Sequence, residues 1–107
     1  MMTYAELAAE LGKLTIPFRE GAWVGQNTDH GTYDVDDRID LIADTTHAEK
    51  LLEGTVDLFV RGTRGDTDAA AVETAMDTAG VHWEAPDILY EDRTGFTHWS
   101  WVFRCLP

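Results

Sequence analysis

The stretch that most restricts the fold of this chain is its last third, where residues 96–105 read FTHWSWVFRC. Apolar side chains alternate there with polar or smaller ones, and the apolar set is Trp99, Trp101, Phe103 and Cys105. A period of two is typical of a β-strand with one buried face. Residues 81–90 precede a turn at 91–95, so the sequence predicts a closing hairpin with one aromatic face. His82 and His98 are expected to face each other across it.

Helix caps, apolar spacing and glycines predict the other elements. Residues 3–12 are predicted as a helix because Thr3 and Glu6 have capping-box spacing. A second helix is predicted over residues 66–79, with Asp66 as its N-cap and Gly80 as its stop. Strands are predicted at 13–18, 33–42 and 52–61, with loops at 19–32 and 43–51. In the strand 33–42, one face is expected to carry Tyr33, Val35, Ile39 and Leu41.

The predicted order is α-β-β-β-α-β-β over 107 residues. This length suits a single domain, residues 1–107, and two helices are too few to connect many parallel strands. The sequence therefore predicts an α+β fold. We expect a mainly antiparallel sheet of about four to five strands, with both helices packed on one face.

The charge of the chain excludes some classes of partner. Twenty acidic side chains oppose eight basic ones, for a formal net charge of -12. Affinity for nucleic acids depends mainly on Lys and Arg at phosphates, and anionic membranes also attract basic segments. The acidic surface therefore argues against both. It is compatible with plain solubility, with a surface that lets a polyanion pass, or with a basic partner.

Cysteine content and the N-terminal sequence bear on the compartment. Cys105 is the single cysteine, so no intrachain disulfide is possible. The start MMTYAELAAELGK lacks a cationic, apolar leader, and no stretch reaches the ~20 apolar residues of a membrane helix. We expect a soluble protein made in a cytoplasm, with no membrane partner.

The densest acidic run consists of Asp34, Asp36, Asp37 and Asp40. A calcium loop that began at Asp34 would need Gly at its sixth position and Glu at its twelfth, where Ile39 and Thr45 stand. The run is therefore interpreted as the solvated face of a strand.

No pattern of catalytic or metal-ligating residues emerges. Asp29 and His30 are the best candidates for an acid–base or metal-binding element, but the spacing of the histidines fits no metal motif. His98 and Cys105 fall on opposite faces by parity, so they should not form a thiol–imidazole pair. Residues 64–66 form the tripeptide RGD. Its Gly and Asp are explained by a turn and by the start of a helix, so the tripeptide is not interpreted as a recognition motif. We predict no catalytic residue, no metal, no cofactor and no enzymatic activity.

The order of elements and several strand sequences resemble a known family. The relevant segments are LTIPF, the strand EGTVDLFVR, the helix AAVETAMDTAGVHW and the closing ILYEDRTGFTHWSWVFR. Together with the first helix, they resemble the small tail-terminator, or tail-completion, proteins of long-tailed bacteriophages and prophages. The resemblance covers nearly the whole chain, although it involves no catalytic signature.

The resemblance implies a non-enzymatic virion structural protein, made in the bacterial host cytoplasm and located in the virion tail. Such a protein forms a ring, typically a hexamer, that caps the tail tube and joins it to the head. Its partners would be copies of itself, the tail-tube protein and a connector or neck protein. DNA would pass through the ring without specific binding, and a ring requires a heterologous interface between subunits. Sheet edges at the Pro17 strand and the final hairpin are candidates for it.

The resemblance also suggests site residues. The candidate lumen or rim consists of Asp34, Asp36, Asp37 and Asp40, because an acidic wall does not grip DNA. The loops 19–32 and 45–51 are candidates for contacting the tube or the neck. Their candidate contact residues are Trp23, Asp29, His30 and His47.

Three other functions remain open at this point. The first is another head–tail neck or minor virion protein of related fold. The second is a stand-alone acidic binding module that mimics DNA and occupies a basic protein. The third is a small enzyme that uses Asp29 and His30. A hexameric mass would favour the ring, whereas measured turnover would favour the enzyme.

Overall fold

The structure is a computed structural model that describes residues 2–42, 48–62 and 64–107, without the side chains of 39–42 and 48–49. In these residues the chain forms two helices and six strands. The helices are α1 (Tyr4–Leu11) and α2 (Asp66–Ala79). The strands are β1 (Phe18–Glu20), β2 (His30–Ile42), β3 (Ala48–Arg61), β4 (His82–Trp83), β5 (Asp87–Glu91) and β6 (Phe96–Cys105).

All six strands of the described residues belong to one sheet. Its order is β1-β2-β3-β6-β4, and β5 pairs with β6 as well. β4 and β5 therefore lie along the same edge of β6, opposite β3. The β1–β2 pair is parallel and the other pairs are antiparallel. The predicted α+β fold with a mainly antiparallel sheet is confirmed.

Both helices pack on one face of the sheet, as predicted. Leu7 and Leu11 of α1 and Met76 of α2 are fully buried against Trp101 and Phe103 of β6. The aromatic face predicted for the last strand is therefore the floor of the core. Burial of large aromatic side chains dominates core energetics, so this packing fixes the two helices on the sheet.

Two tryptophans of the core side satisfy their indole N–H groups with helix carboxylates. Trp101 Nε1 donates to Glu73 at 2.9 Å, and Trp83 Nε1 donates to Asp77 at 2.8 Å. A buried N–H that lacks a partner is costly, so these bonds let bulky indoles fill the core without a desolvation penalty. They also tie α2 to β6 and β4.

The predicted helix signals were largely correct. Thr3 caps α1 by accepting a hydrogen bond from the Glu6 N–H, and Gly80 ends α2 in the left-handed conformation. The N-cap of α2 was wrong by one residue. Gly65 holds that position without a side-chain cap, and Asp66 is the first helical residue.

Strand boundaries account for several wrong predictions. The first strand was expected at 13–18, but β1 begins at Phe18, because Leu14 and Ile16 pack beside the core instead of pairing. β2 begins earlier than expected, at His30. The loop expected at 43–51 is strand from Ala48 onward. Its remaining part, 43–47, lies outside the described residues.

A β-bulge in β2 overturns the expected alternation of that strand. The register with β3 shifts between Val35 and Asp37, so two residues there oppose one on the partner strand. Tyr33 pairs with Val56 on the helix side, whereas Ile39 pairs with Leu51 on the opposite side. Tyr33 and Val35 thus do not share a face with Ile39 and Leu41.

The final hairpin is interrupted in its first half. Asp87–Glu91 and His82–Trp83 pair with β6, and the Glu84 N–H donates to the Val102 carbonyl oxygen at 3.0 Å. The pairing is interrupted before Asp87 because Pro86 lacks a backbone N–H. His82 pairs with Arg104, and Leu89 faces His98. The expected contact between His82 and His98 is therefore wrong. The turn at 91–95 is confirmed.

Candidate functional site

The face of the sheet opposite the helices is the candidate functional surface. β6 divides its residues between the two faces: Trp101 and Phe103 are buried under the helices, while Ser100, Val102 and Arg104 are only half-buried. No described element covers the second face as α1 and α2 cover the first. We call it the open face.

Carboxylates gather at the centre of the open face. Asp34 pairs with Thr55, Asp37 with Glu53, and Asp57 lies two residues further along β3. Burial raises the pKa of Asp36, which lies in the bulge, and the negative charges of Asp34, Asp57 and Glu53 raise it further. Both burial and the neighbouring like charges thus disfavour the charged form of Asp36. Arg104 partly compensates by donating from Nε to Glu53 at 2.7 Å.

Asp57 and His98 form the best-connected polar pair of this face. His98 Nε2 lies 2.7 Å from Asp57 Oδ1, and Thr55 Oγ1 donates to Asp57 at 3.0 Å. Burial alone would raise the pKa of Asp57, but hydrogen bonds from His98, Ser100 and Thr55 lower it. The bond to Asp57 raises the pKa of His98 above 6.5, although burial opposes this. Glu91 adds a second carboxylate, 3.7 Å from His98 Nδ1.

Aromatic rings cover the end of the open face next to this pair. Phe59 stacks on His98 at 4.3 Å between ring centroids and on His30 at 4.8 Å. Phe96 meets the His30 ring edge-on at 5.4 Å, and Trp23 meets it at 5.7 Å. The loop that carries Trp23 is therefore anchored on the sheet by aromatic contacts.

The four aspartates of the predicted lumen do not share one face. Asp34, Asp36 and Asp37 are exposed, and the register places Asp34 and Asp37 on the open face. Asp40 is paired with Lys50, a position of the other parity, and its side chain lies outside the description. The β-bulge between Val35 and Asp37 puts these aspartates on different faces, and nothing in the sequence marks it as plainly as the aspartates themselves. The lumen or rim role stays a prediction.

The predicted contact residues Asp29 and His30 are held against the sheet and do not lie in an open loop. His30 is 5% exposed, and its Nδ1 lies 2.8 Å from the Thr28 carbonyl oxygen. Asp29 accepts a hydrogen bond from the Arg61 backbone N–H at 2.9 Å, which joins the loop to the end of β3. Trp23 is half-buried, and His47 lies outside the described residues. Their contact role also stays a prediction.

Sequence reasoning missed the exposed apolar strand at one edge of the sheet. Ile88, Leu89 and Tyr90 of β5 are 56%, 62% and 45% exposed. The run ILY is visible in the sequence, but whether it is buried depends on whether another strand pairs with the outer edge of β5. In the part of the chain that the structure describes, β5 pairs with β6 alone. Unpaired edges with apolar side chains are typical sites of association with another chain.

The described residues form neither a metal-ligand cluster nor a membrane-spanning helix. Among the side chains that the structure describes, no three metal-ligating groups gather into a site that would hold an ion. Neither described helix has the length and apolar character needed to span a bilayer.

Comparisons with known proteins give a likeness of fold. No family model and no curated protein matches this sequence. Among solved structures, the fold is similar to that of a chain from a structure described as the virion of a native gene transfer agent (GTA) particle. The TM-score is 0.59 at 18% sequence identity, over 94% of this chain and 82% of the other. The structural similarity shows a shared fold, and at this low identity it shows the fold alone.

Proposed function

We propose that this chain is a non-enzymatic structural protein of a phage-like virion, and more specifically a tail terminator or tail-completion protein. The observation that carries the proposal is the likeness over 94% of the chain to a component of a virion particle. The same class was expected from the order of elements and the strand sequences. A fold alone does not determine function, so two features of this chain must also fit.

The first feature is the distribution of charge. A ring on a tail end must let DNA pass without holding it, and protein–DNA affinity grows with the number of basic side chains at phosphates. The formal net charge is -12, and exposed aspartates stand on the open face. Such a surface repels a phosphate backbone. We therefore propose Asp34, Asp36 and Asp37 as residues of the lumen or rim, without Asp40, whose register position has the other parity.

The second feature is the pair of uncovered sheet edges. A ring needs two different surfaces on each subunit, so that every copy offers one and accepts the other. In the described residues β1 ends the sheet on one side, and β5 lies on the other side along β6. Such edges suit a homo-oligomeric ring, for which six subunits are expected. The tail-tube protein and a connector or neck protein would lie on its two sides.

The proposal is tested by adding the purified protein to recombinant tail tubes of the same phage or prophage. Tubes polymerised with the protein should stop at short, uniform lengths and carry a ring at one end in negative-stain images. Unlimited tube growth with no ring density would contradict tail termination. Capture by a neck protein without tube binding would instead assign the chain to another head–tail position.

The lumen assignment has a separate test. Replacing Asp34, Asp36 and Asp37 by Asn should leave folding and ring assembly intact, because these three side chains are exposed. The amount of DNA that stays bound to the protein should be larger for this variant than for the parent, because the repelling carboxylates are gone. Collapse of folding would contradict the assignment, since it would give the aspartates a structural role.

A further inference from the structure

The two uncovered sheet edges match each other in chemistry. β5 reads DILYE, and its residues alternate between the faces: Ile88 pairs with Trp99 on the helix side, and Leu89 pairs with His98 on the open face. Asp87 and Glu91 therefore share the open face with Leu89, while Tyr90 shares the helix side with Ile88. The strand thus offers Ile88 and Tyr90 on one side, and Leu89 flanked by two carboxylates on the other.

β1 has the complementary arrangement at the other end of the sheet. Phe18 pairs with Gly31 and packs beside the core on the helix side. Arg19 pairs with Thr32, and its guanidinium lies 5.9 Å from the Trp23 ring centroid on the open face. Arg19 is exposed, and Phe18 is half-buried. A cation thus stands on the face where β5 presents its acids.

We infer that β5 of one copy adds to the sheet edge at β1 of the next copy, so that the sheets of neighbouring subunits are continuous. This inference rests on the proposed ring and names its interface. With matching faces, Phe18 lies beside Ile88 or Tyr90 of the neighbour, and Arg19 lies beside Asp87 or Glu91. Backbone hydrogen bonds supply the pairing, and the alternating side chains set its register.

Charge argues against the simplest alternative, in which β5 pairs with β5 of another copy. Antiparallel self-pairing centred on Leu89 places Asp87 of one chain opposite Glu91 of the other, twice in each contact. Like charges directly opposite each other destabilise a strand pair, whereas opposite charges stabilise it. The β5–β1 pairing removes both repulsions. A pair of copies joined in this way still has one free β5 edge and one free β1 edge, so further copies can be added until the ring closes.

Cross-linking of two single-site variants tests the pairing. Leu89→Cys marks β5, and Thr32→Cys marks the strand beside β1 without altering Phe18 or Arg19. Cys105 is fully buried, and burial raises the pKa of its thiol to about 11, so it should not react with a short bis-maleimide. An equal mixture of the two variants should give covalent dimers, and each variant alone should give about tenfold fewer.

The outcomes of this experiment are distinct. Strong dimers from Leu89→Cys alone would overturn the inference in favour of β5–β5 pairing. Absence of mixed dimers in a protein with a ring-sized native mass would overturn the interface and leave the proposed function standing. A strictly monomeric native mass at the highest concentration would overturn the pairing in solution. The proposed function would then be tested separately by the tail-tube capping experiment. Ala70→Cys, on the exposed side of α2, is the matched control.

A charge exchange provides a second measurement. Arg19→Glu and Asp87→Lys should each raise the dissociation constant of the assembly about three- to fivefold, the scale of an exposed ion pair. The double variant should return to within about twofold of the parent. Additive weakening in the double variant would contradict a contact between these two positions.

Discussion

The two faces of this sheet are made by the same strands but have opposite characters. On the covered face, Trp101 and Phe103 are fully buried beneath the helices. On the open face, the intervening Ser100, Val102 and Arg104 remain partly exposed, next to Asp57 and His98. The covered face holds the fold together, whereas the open face and the edges are available for partners. Substitutions should therefore separate stability from assembly.

The largest expected difference between the faces concerns two neighbouring residues of β6. Phe103→Ala should lower the free energy of unfolding by about 3–5 kcal/mol, because it leaves a cavity in the core. Val102→Ala, on the open face, should cost less than about 1.5 kcal/mol because Val102 is already half-exposed. Urea denaturation of both variants measures the difference. Equal losses would show that the open face is covered in solution.

The next largest effect concerns the bulge that divides the acidic run between the faces. A Cβ at Gly54 would overlap the carbonyl oxygen of Asp34, whereas one at Gly31 would overlap only the movable ring of Phe18. Gly54→Ala should therefore destabilise the fold by about 2–3 kcal/mol. Gly31→Ala should cost less, because a side chain adjusts more easily than backbone. Thermal unfolding compares them, and a harmless Gly54→Ala would contradict the bulge geometry.

The Asp57–His98 pair gives the open face a pH dependence. The pKa of His98 is raised above 6.5, so its contribution is complete below pH 6.5 and is lost as the pH rises through the raised value. The pKa of Asp57 is lowered below 3.8, so its contribution holds above pH 3.8 and is lost as the pH falls through the lowered value. Stability from this pair is therefore greatest between these limits.

His98→Gln should remove the upper part of this dependence. The parent should lose about 1 kcal/mol of unfolding free energy as the pH rises through the His98 pKa, the scale of one ordinary hydrogen bond in a half-buried place. The variant should lack this loss, since Gln does not titrate. Urea unfolding at a series of pH values measures both proteins. Parallel pH curves would show that another group causes the dependence.

The smallest expected effect is a gain on the open face. Burial, and then the negative charges of Asp34, Asp57 and Glu53, raise the pKa of Asp36, so its charged form is disfavoured at this position. Asp36→Asn should stabilise the protein at neutral pH by a few tenths of a kcal/mol, discounted for its exposure. The gain should shrink at high salt, where charges are screened. A gain independent of salt would indicate a cause other than repulsion.

The sequence predicted the covered face better than the open one. Alternation in β6 and the helical spacing of Val72 and Met76 identify core residues because burial imposes a period on the chain. The bulge at Asp36 has no such period, and it reverses the faces of the residues after it. Asp29 and His30 were assigned to a loop because Gly, Asn and Asp surround them. Tertiary contacts with Arg61 and Phe59 instead hold them at the sheet.

The edges show a further limit of sequence reasoning. The apolar run of β5 predicted a strand correctly, but alternation within one chain does not reveal whether a strand has a neighbour on its outer side. The exposure of Ile88 and Leu89 became visible only from the strand order. That exposure directs attention to assembly, where the central claim is decided.

The most direct test of that claim is the native mass in solution, measured by light scattering over a concentration series. We expect a ring of roughly six chains. It should dissociate when Leu89→Lys places a charge on the β5 edge, while Ala70→Lys should leave it intact. A protein that remains a monomer at every concentration, and also on tail-tube ends, would contradict a ring-forming tail terminator. It would favour a stand-alone acidic binding module.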